Sequence, residues 1–161
     1  MNAAAQLVSA LRERGWTLGV AESLTGGAVA SEIVSVPGAS SALWGAIVAY
    51  ATPVKHTLLG VDAELLAAHG PVHPEVAVQM ACGVRRAVAV DGRPADVGLS
   101  TTGIAGPDSP DGQPVGTVHI GVATPLGAPR SRVFVFPGSR DEIRIRARDA
   151  AIDLALDAVR E

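Results

Sequence analysis

The apolar run Trp16–Val20 leads straight into Ala21-Glu22-Ser23-Leu24-Thr25-Gly26-Gly27, and no other passage constrains the fold as tightly. A run of strand length, two glycines that permit a sharp reversal, and a following stretch of small and apolar residues read as a strand delivering a glycine turn into a helix. The first N–H groups of such a helix lack intrahelical partners. Together with the helix dipole they form a seat for a phosphate or carboxylate. A second polar glycine segment, Ser100-Thr101-Thr102-Gly103-Ile104-Ala105-Gly106-Pro107-Asp108, also follows an apolar run. Two such loops imply one pocket, with Ser23, Thr25, Gly26 and Gly27 expected as substrate contacts from the first, and Thr102, Gly103 and Gly106 from the second.

The rest of the chain alternates in the same way. Helical spacing runs from Ala3 to Arg14 and stops at Gly15, a residue suited to the position just past a helix. A short helix to about Val34 precedes a loop at residues 36–41, and Leu43–Tyr50 reads as a buried strand. Helices are expected from Pro53 to Leu59, from an Asp62 cap to His69, and from Pro74 to Val90. Then the character changes. Ala95–Thr101, Gly116–Thr124 and Arg130–Phe136 read as three successive strands, and Ser139–Arg160 as a final helix opened by a Ser139/Glu142 capping box. The segment Pro107–Pro114 is expected as a surface loop beside the pocket. The alternation predicts one three-layer α/β/α domain over residues 1–161, with a mixed sheet.

Composition narrows the function classes. Apolar residues make up 48% but aromatics only 3%, so the core must be aliphatic and closely packed, which favours α/β over all-β. A net charge of −3, with no basic cluster interleaved with aromatics, argues against nucleic acid as a partner. No uncharged apolar run approaches ~20 residues and the first residues lack a signal-peptide pattern, so a cytoplasmic protein without a membrane partner is expected. Cys82 is the only cysteine, which excludes a disulfide framework; its helical apolar surroundings predict a buried structural thiol.

Lys55 is the only lysine beside twelve arginines. Where arginine serves whenever a positive charge suffices, one lysine points to a need for a titratable amine. Desolvated, it can lose its proton near neutral pH and act as a base toward a serine, directly or through a tyrosine; the alternative is a solvated lysine on a short helix. Ser23 is open to three readings: phosphate ligand, helix cap, or nucleophile at a strand-to-helix turn. The last ranks lowest, because the surroundings do not match the Gly-x-Ser-x-Gly elbow. Thr25 is a phosphate ligand or a plain cap, and Glu22 a cap or a group that steers a ligand. His69 and His73 are separated by Pro71 and lack an acidic ligand at helical spacing, so no metal site is expected. Arg140, Arg144 and Arg148 share a stripe at i, i+4 spacing, which serves as a solvated face or an anion clamp.

Taken in order, Ala21–Gly27, Val36-Pro37-Gly38-Ala39-Ser40, Ala49-Tyr50 with Lys55, Leu58-Leu59-Gly60-Val61, Thr102–Pro107 and Pro114-Val115-Gly116-Thr117-Val118 resemble the C-terminal domain family of the competence- and damage-inducible CinA proteins. These are nicotinamide-nucleotide amidohydrolases, and the resemblance covers nearly the whole chain. It implies hydrolysis of the carboxamide of nicotinamide mononucleotide to nicotinic acid mononucleotide and ammonia, without metal or cofactor. It also implies a Ser-Tyr-Lys catalytic set, carried here onto Ser40, Tyr50 and Lys55. The phosphate is then expected at the helix starting near Thr25–Gly27, or beside Thr102 with Arg140 and Arg144. Full-length family members often carry an additional N-terminal domain, so the amidohydrolase half alone is expected here. Asp108, Ser109 and Asp111 stand where relatives tend to have more glycine and threonine. A non-catalytic nucleotide- or phosphate-binding module is the rival reading, a scaffold in a DNA-uptake or repair setting a third, and a homodimer the expected assembly.

Overall fold

The computed structural model describes residues 1–161. Its elements follow the order α1 (Ala3–Arg14), β1 (Leu18–Glu22), α2 (Ala28–Val34), β2 (Leu43–Val48), α3 (Thr52–Leu59), α4 (Ala63–His69), α5 (Pro74–Ala87), β3 (Val97–Gly103), β4 (Thr117–Ala123), β5 (Arg130–Val135) and α6 (Arg140–Arg160), with a 3₁₀ turn at Ala39–Ser41 before β2. Five strands form one mixed sheet in the order β2-β1-β3-β4-β5. β2, β1 and β3 run parallel, while β4 and β5 return antiparallel. The three-layer α/β/α arrangement expected from the alternation is what forms.

Local chemistry sets the element ends. Gly15 closes α1 in the left-handed conformation, its N–H bonding back to the last turn. Asp62 caps α4 and the His73 ring caps α5, accepting from the N–H of Glu75 at 3.1 Å. Ser139 and Glu142 form the reciprocal capping box that opens α6. α5 ends at Ala87, three residues short of the expected Val90.

Helices α1, α2 and α6 cover one face, where Leu7, Leu11, Ile33, Ile143 and Ile152 meet Leu18, Val20, Leu99 and Ile120 of the sheet. Helices α3, α4 and α5 cover the other with a smaller cluster around Leu59, Val61, Val76, Met80 and Val84. β1, β3 and β4 are almost wholly buried. β2 corrects the expectation of a buried strand: it is an edge, with Ala46 and Val48 exposed. Cys82, expected buried, is only half-buried; burial nonetheless pushes its thiol pKa up, against the pull of Arg85 and Arg86, which disfavours the reactive thiolate.

Helix α5 lies unusually close to the sheet. A Cβ on Gly98 of β3 would fall well inside van der Waals contact of the Ala81 carbonyl, and one on Gly121 of β4 would meet the Ala77 carbonyl. The Ser100 hydroxyl donates to that same Ala77 carbonyl at 2.6 Å. Replacing Gly98 with alanine forces the helix and strand apart, at an expected cost of about 2 kcal/mol or more. Gly127→Ala, where a Cβ meets nothing within 4 Å, is expected to change stability by no more than about 0.5 kcal/mol. Denaturant unfolding of both variants checks the difference.

Candidate active site

From β1 the chain crosses to one side to form β2, then returns to the other side to form β3. The switch point therefore lies between β1 and β3, where open α/β sheets bind ligands beyond the carboxyl ends of their strands. A cleft of about 280 Å³ opens there. Ser23 and Leu24 follow β1, Tyr50 and Lys55 follow β2, and Thr102 to Gly106 end β3 and continue beyond it. Pro71, Val72, Asp108, Pro110 and Arg140 complete the wall.

Lys55 sits in the first half of α3 and is only 1% exposed. Its Nζ donates to the carbonyls of Ala49 at 2.7 Å and Tyr50 at 3.3 Å, and lies 2.9 Å from Ser23 Oγ. No carboxylate forms an ion pair with it. Burial, which penalises the charged form, lowers its pKa from the ordinary 10.5 to about 8. In the neutral amine two N–H groups keep the two carbonyls, and the lone pair is left to accept the Ser23 hydroxyl proton. An amine and a hydroxyl in this relation have the geometry of a base beside a nucleophile.

The turn carrying Ser23 is fixed from behind. The Ser23 N–H donates to the Thr101 carbonyl at 3.1 Å, and the Thr25 and Thr101 hydroxyls lie 2.8 Å apart. Glu22, fully buried, accepts from the N–H groups of Gly27 and Val29 through Oε1 and of Ala30 through Oε2. This corrects the phosphate seat expected at that helix: the chain's own carboxylate fills it. Thr25 is buried in its hydroxyl contact, the Gly26 N–H bonds the Ser23 carbonyl, and neither they nor Gly27 line the cleft.

Ser40, expected beside Tyr50 and Lys55, is not brought to the cleft. It lies in the 3₁₀ turn that precedes β2, exposed in a separate groove with Val36, Pro37 and Leu43. Tyr50 and Lys55 follow β2, and a six-residue strand separates its two ends by about 20 Å. Tyr50 does line the cleft, but the residue is 62% exposed and its phenol accepts from Arg140 Nη2 at 3.2 Å, while only its main-chain carbonyl reaches Lys55. Thr102 and Gly103 line the cleft as expected, the Thr102 hydroxyl donating to the Pro71 carbonyl at 2.7 Å.

The arginine stripe is neither a plain solvated face nor a three-membered clamp. Arg140 donates to the Gly106 carbonyl at 2.6 Å and lines the cleft. Arg144 ties α6 to the Ser23 turn through the carbonyls of Leu24 and Thr25 and stays outside the cleft. Arg148 pairs with Asp149 and Glu32. Three of the four histidines lie near one another: the His69 and His73 rings stand 4.6 Å apart, and burial, with His73 nearby, lowers the pKa of His119, whose Nδ1 has no partner. No group of three or more His, Cys, Asp or Glu residues is placed to hold a metal ion.

Comparison with known proteins supports the fold. The family model described as the CinA C-terminal domain matches residues 1–159. A CinA-like protein of Frankia casuarinae is 49% identical over 144 residues, covering 89% of this chain and 32% of that protein. A relative from Bacillus pumilus, named for competence-damage induction, is 43% identical over 154 residues, covering 94% and 35%. The chain thus spans about a third of the length of these curated relatives. Among solved structures, the competence damage-inducible protein A of Klebsiella pneumoniae superposes with a TM-score of 0.90 at 28% identity, covering 100% of this chain and 99% of that one. A competence/damage inducible protein of Agrobacterium tumefaciens gives 0.89 at 28%, covering 99% and 94%. With its sheet superposed and nearly its full length matched, the chain belongs to the CinA C-terminal domain family.

Proposed function

We propose that this domain hydrolyses the carboxamide of nicotinamide mononucleotide to nicotinic acid mononucleotide and ammonia, with Ser23 as nucleophile and Lys55 as base. The observation that carries the reading is the 2.9 Å contact between the Ser23 hydroxyl and a buried, unpaired lysine amine. With a pKa of about 8, about a tenth of the amine is neutral at pH 7, enough to supply a resting base.

Neutral Lys55 takes the Ser23 proton as Oγ bonds to the carboxamide carbon. The carbonyl becomes an oxyanion. The N–H groups of Leu24, Ala105 and Gly106 border the cleft and bond no other atom of the chain, so they are the donors available to it. Collapse breaks the C–N bond, and the Lys55 ammonium gives its proton to the departing ammonia. Water then attacks the Ser23 ester, Lys55 takes a water proton and returns it to Ser23, and the acid leaves. Arg140, held by Gly106 and Tyr50, binds the substrate phosphate in this reading.

Ammonia release from nicotinamide mononucleotide by the purified protein tests this. Ser23→Ala is expected to lower kcat/KM by about 10³-fold or more, while Ser40→Ala leaves it unchanged. The reverse pattern would return the nucleophile to Ser40, and nucleotide binding without any turnover would support the binding-module reading. The pH profile gives a second check. Because the neutral amine is the active form, kcat/KM should fall about tenfold per pH unit below about 8 and level off above it. A profile flat through that value removes Lys55 as the base.

A further inference from the structure

One charge in the cleft is unused by the chemistry above. Of the lining residues only Lys55, Asp108 and Arg140 are charged. The Lys55 amine is satisfied by two carbonyls and Ser23, and Arg140 is partly satisfied by Gly106 and Tyr50. Other carboxylates nearby are answered: Glu22 by three amide N–H groups, and Asp111 by Gln113 and Ser109, bonds that hold its pKa below the ordinary value. Asp108, the one carboxylate that lines the cleft, makes no hydrogen bond or ion pair within the chain.

Its loop is nonetheless fastened on both sides. Arg140 holds the carbonyl of Gly106, two residues before Asp108, and beyond it Gln113 Nε2 donates both to Asp111 and, at 3.0 Å, to the carbonyl of Val72 on the cleft wall. The carboxylate is therefore stationed at the rim of a cleft that also offers a guanidinium, and the two do not neutralise each other as an ion pair. A purely anionic ligand would be attracted at one point and repelled at the other. A ligand with a cationic ring and an anionic tail meets both charges favourably.

We infer that Asp108 is a specificity-determining residue that selects the positively charged, N-ribosylated pyridine ring over an uncharged ring of the same shape. The inference rests on the amidohydrolase reading for the identity of the ligand. A carboxylate several ångströms from a cation, in a half-open cleft with an effective dielectric between those of protein and water, strengthens binding by about three- to tenfold. Added salt weakens the preference, because the rim is open to solvent.

The test uses Ser23→Ala protein, which holds ligand without turnover, in calorimetric titrations at neutral pH and low salt. The ligands are nicotinamide mononucleotide and its reduced form, which keeps the amide, ribose and phosphate but has an uncharged dihydropyridine ring. The expected result is about three- to tenfold tighter binding of the oxidised form, abolished by adding Asp108→Asn and retained with Asp108→Glu. Equal weakening of both ligands by Asp108→Asn would mean that the carboxylate reads the ribose hydroxyls and would overturn the inference. So would an unchanged preference, or binding of neither form. Ammonia release by the unsubstituted protein is a separate readout, so a catalytic failure with the preference intact is distinguishable from a failure of charge selection.

Discussion

The site depends on a lysine amine held out of water without a carboxylate beside it. An ion pair would keep Lys55 protonated and useless as a base; the carbonyls of Ala49 and Tyr50 orient it and leave it free to give up its proton. The arrangement carries a stability cost of definite sign. Folded Lys55 loses its proton near 8 and unfolded lysine near 10.5, so across that window the unfolded chain binds more protons and stability rises with pH. Below about 8 the buried charge is a standing penalty that the rest of the fold must offset.

Glu22 and Arg144 supply part of that support at the turn itself. The Glu22 carboxylate turns the open end of α2 into an internal anion site, and Arg144 reaches from α6 to the carbonyls on the other side of Ser23. The Ser23 turn is thus clamped between a sheet, a capped helix and a second helix. With the helix end filled, Arg140 is the arginine that lines the cleft, and it comes from the far end of the chain.

Element types were readable because the apolar periods, the caps at Gly15, Asp62 and Ser139, and the Gly/Pro turns all pointed the same way. Lys55 was readable as the lone lysine, and Thr102, Gly103 and Arg140 as loop or helix-face neighbours of one pocket. That Ser40 lies away from the cleft was hidden, because a motif shows order along the chain and not which end of a strand a residue occupies. The missed signal was positional: Tyr50 and Lys55 follow a strand, as Ser23 does, whereas Ser40 precedes one. That Glu22 would fill the helix end was equally hidden, since three N–H bonds depend on a turn geometry that two glycines permit but do not specify. Pro71 and Val72 reach the cleft only through the crossover from α4 to α5, which leaves no local trace.

The close seating of α5 on Gly98 and Gly121 bears on how this domain can diverge. Across the aliphatic core a substitution removes or adds a methyl group, and neighbouring Leu, Ile and Val side chains can absorb it by repacking. At the two glycines the neighbour is a helix backbone carbonyl, which can yield only by moving the helix, and with it Pro71 and Val72, which wall the cleft just before it. Evolutionary drift in this domain is therefore bounded less by the chemistry of its core than by a few places where main chain touches main chain.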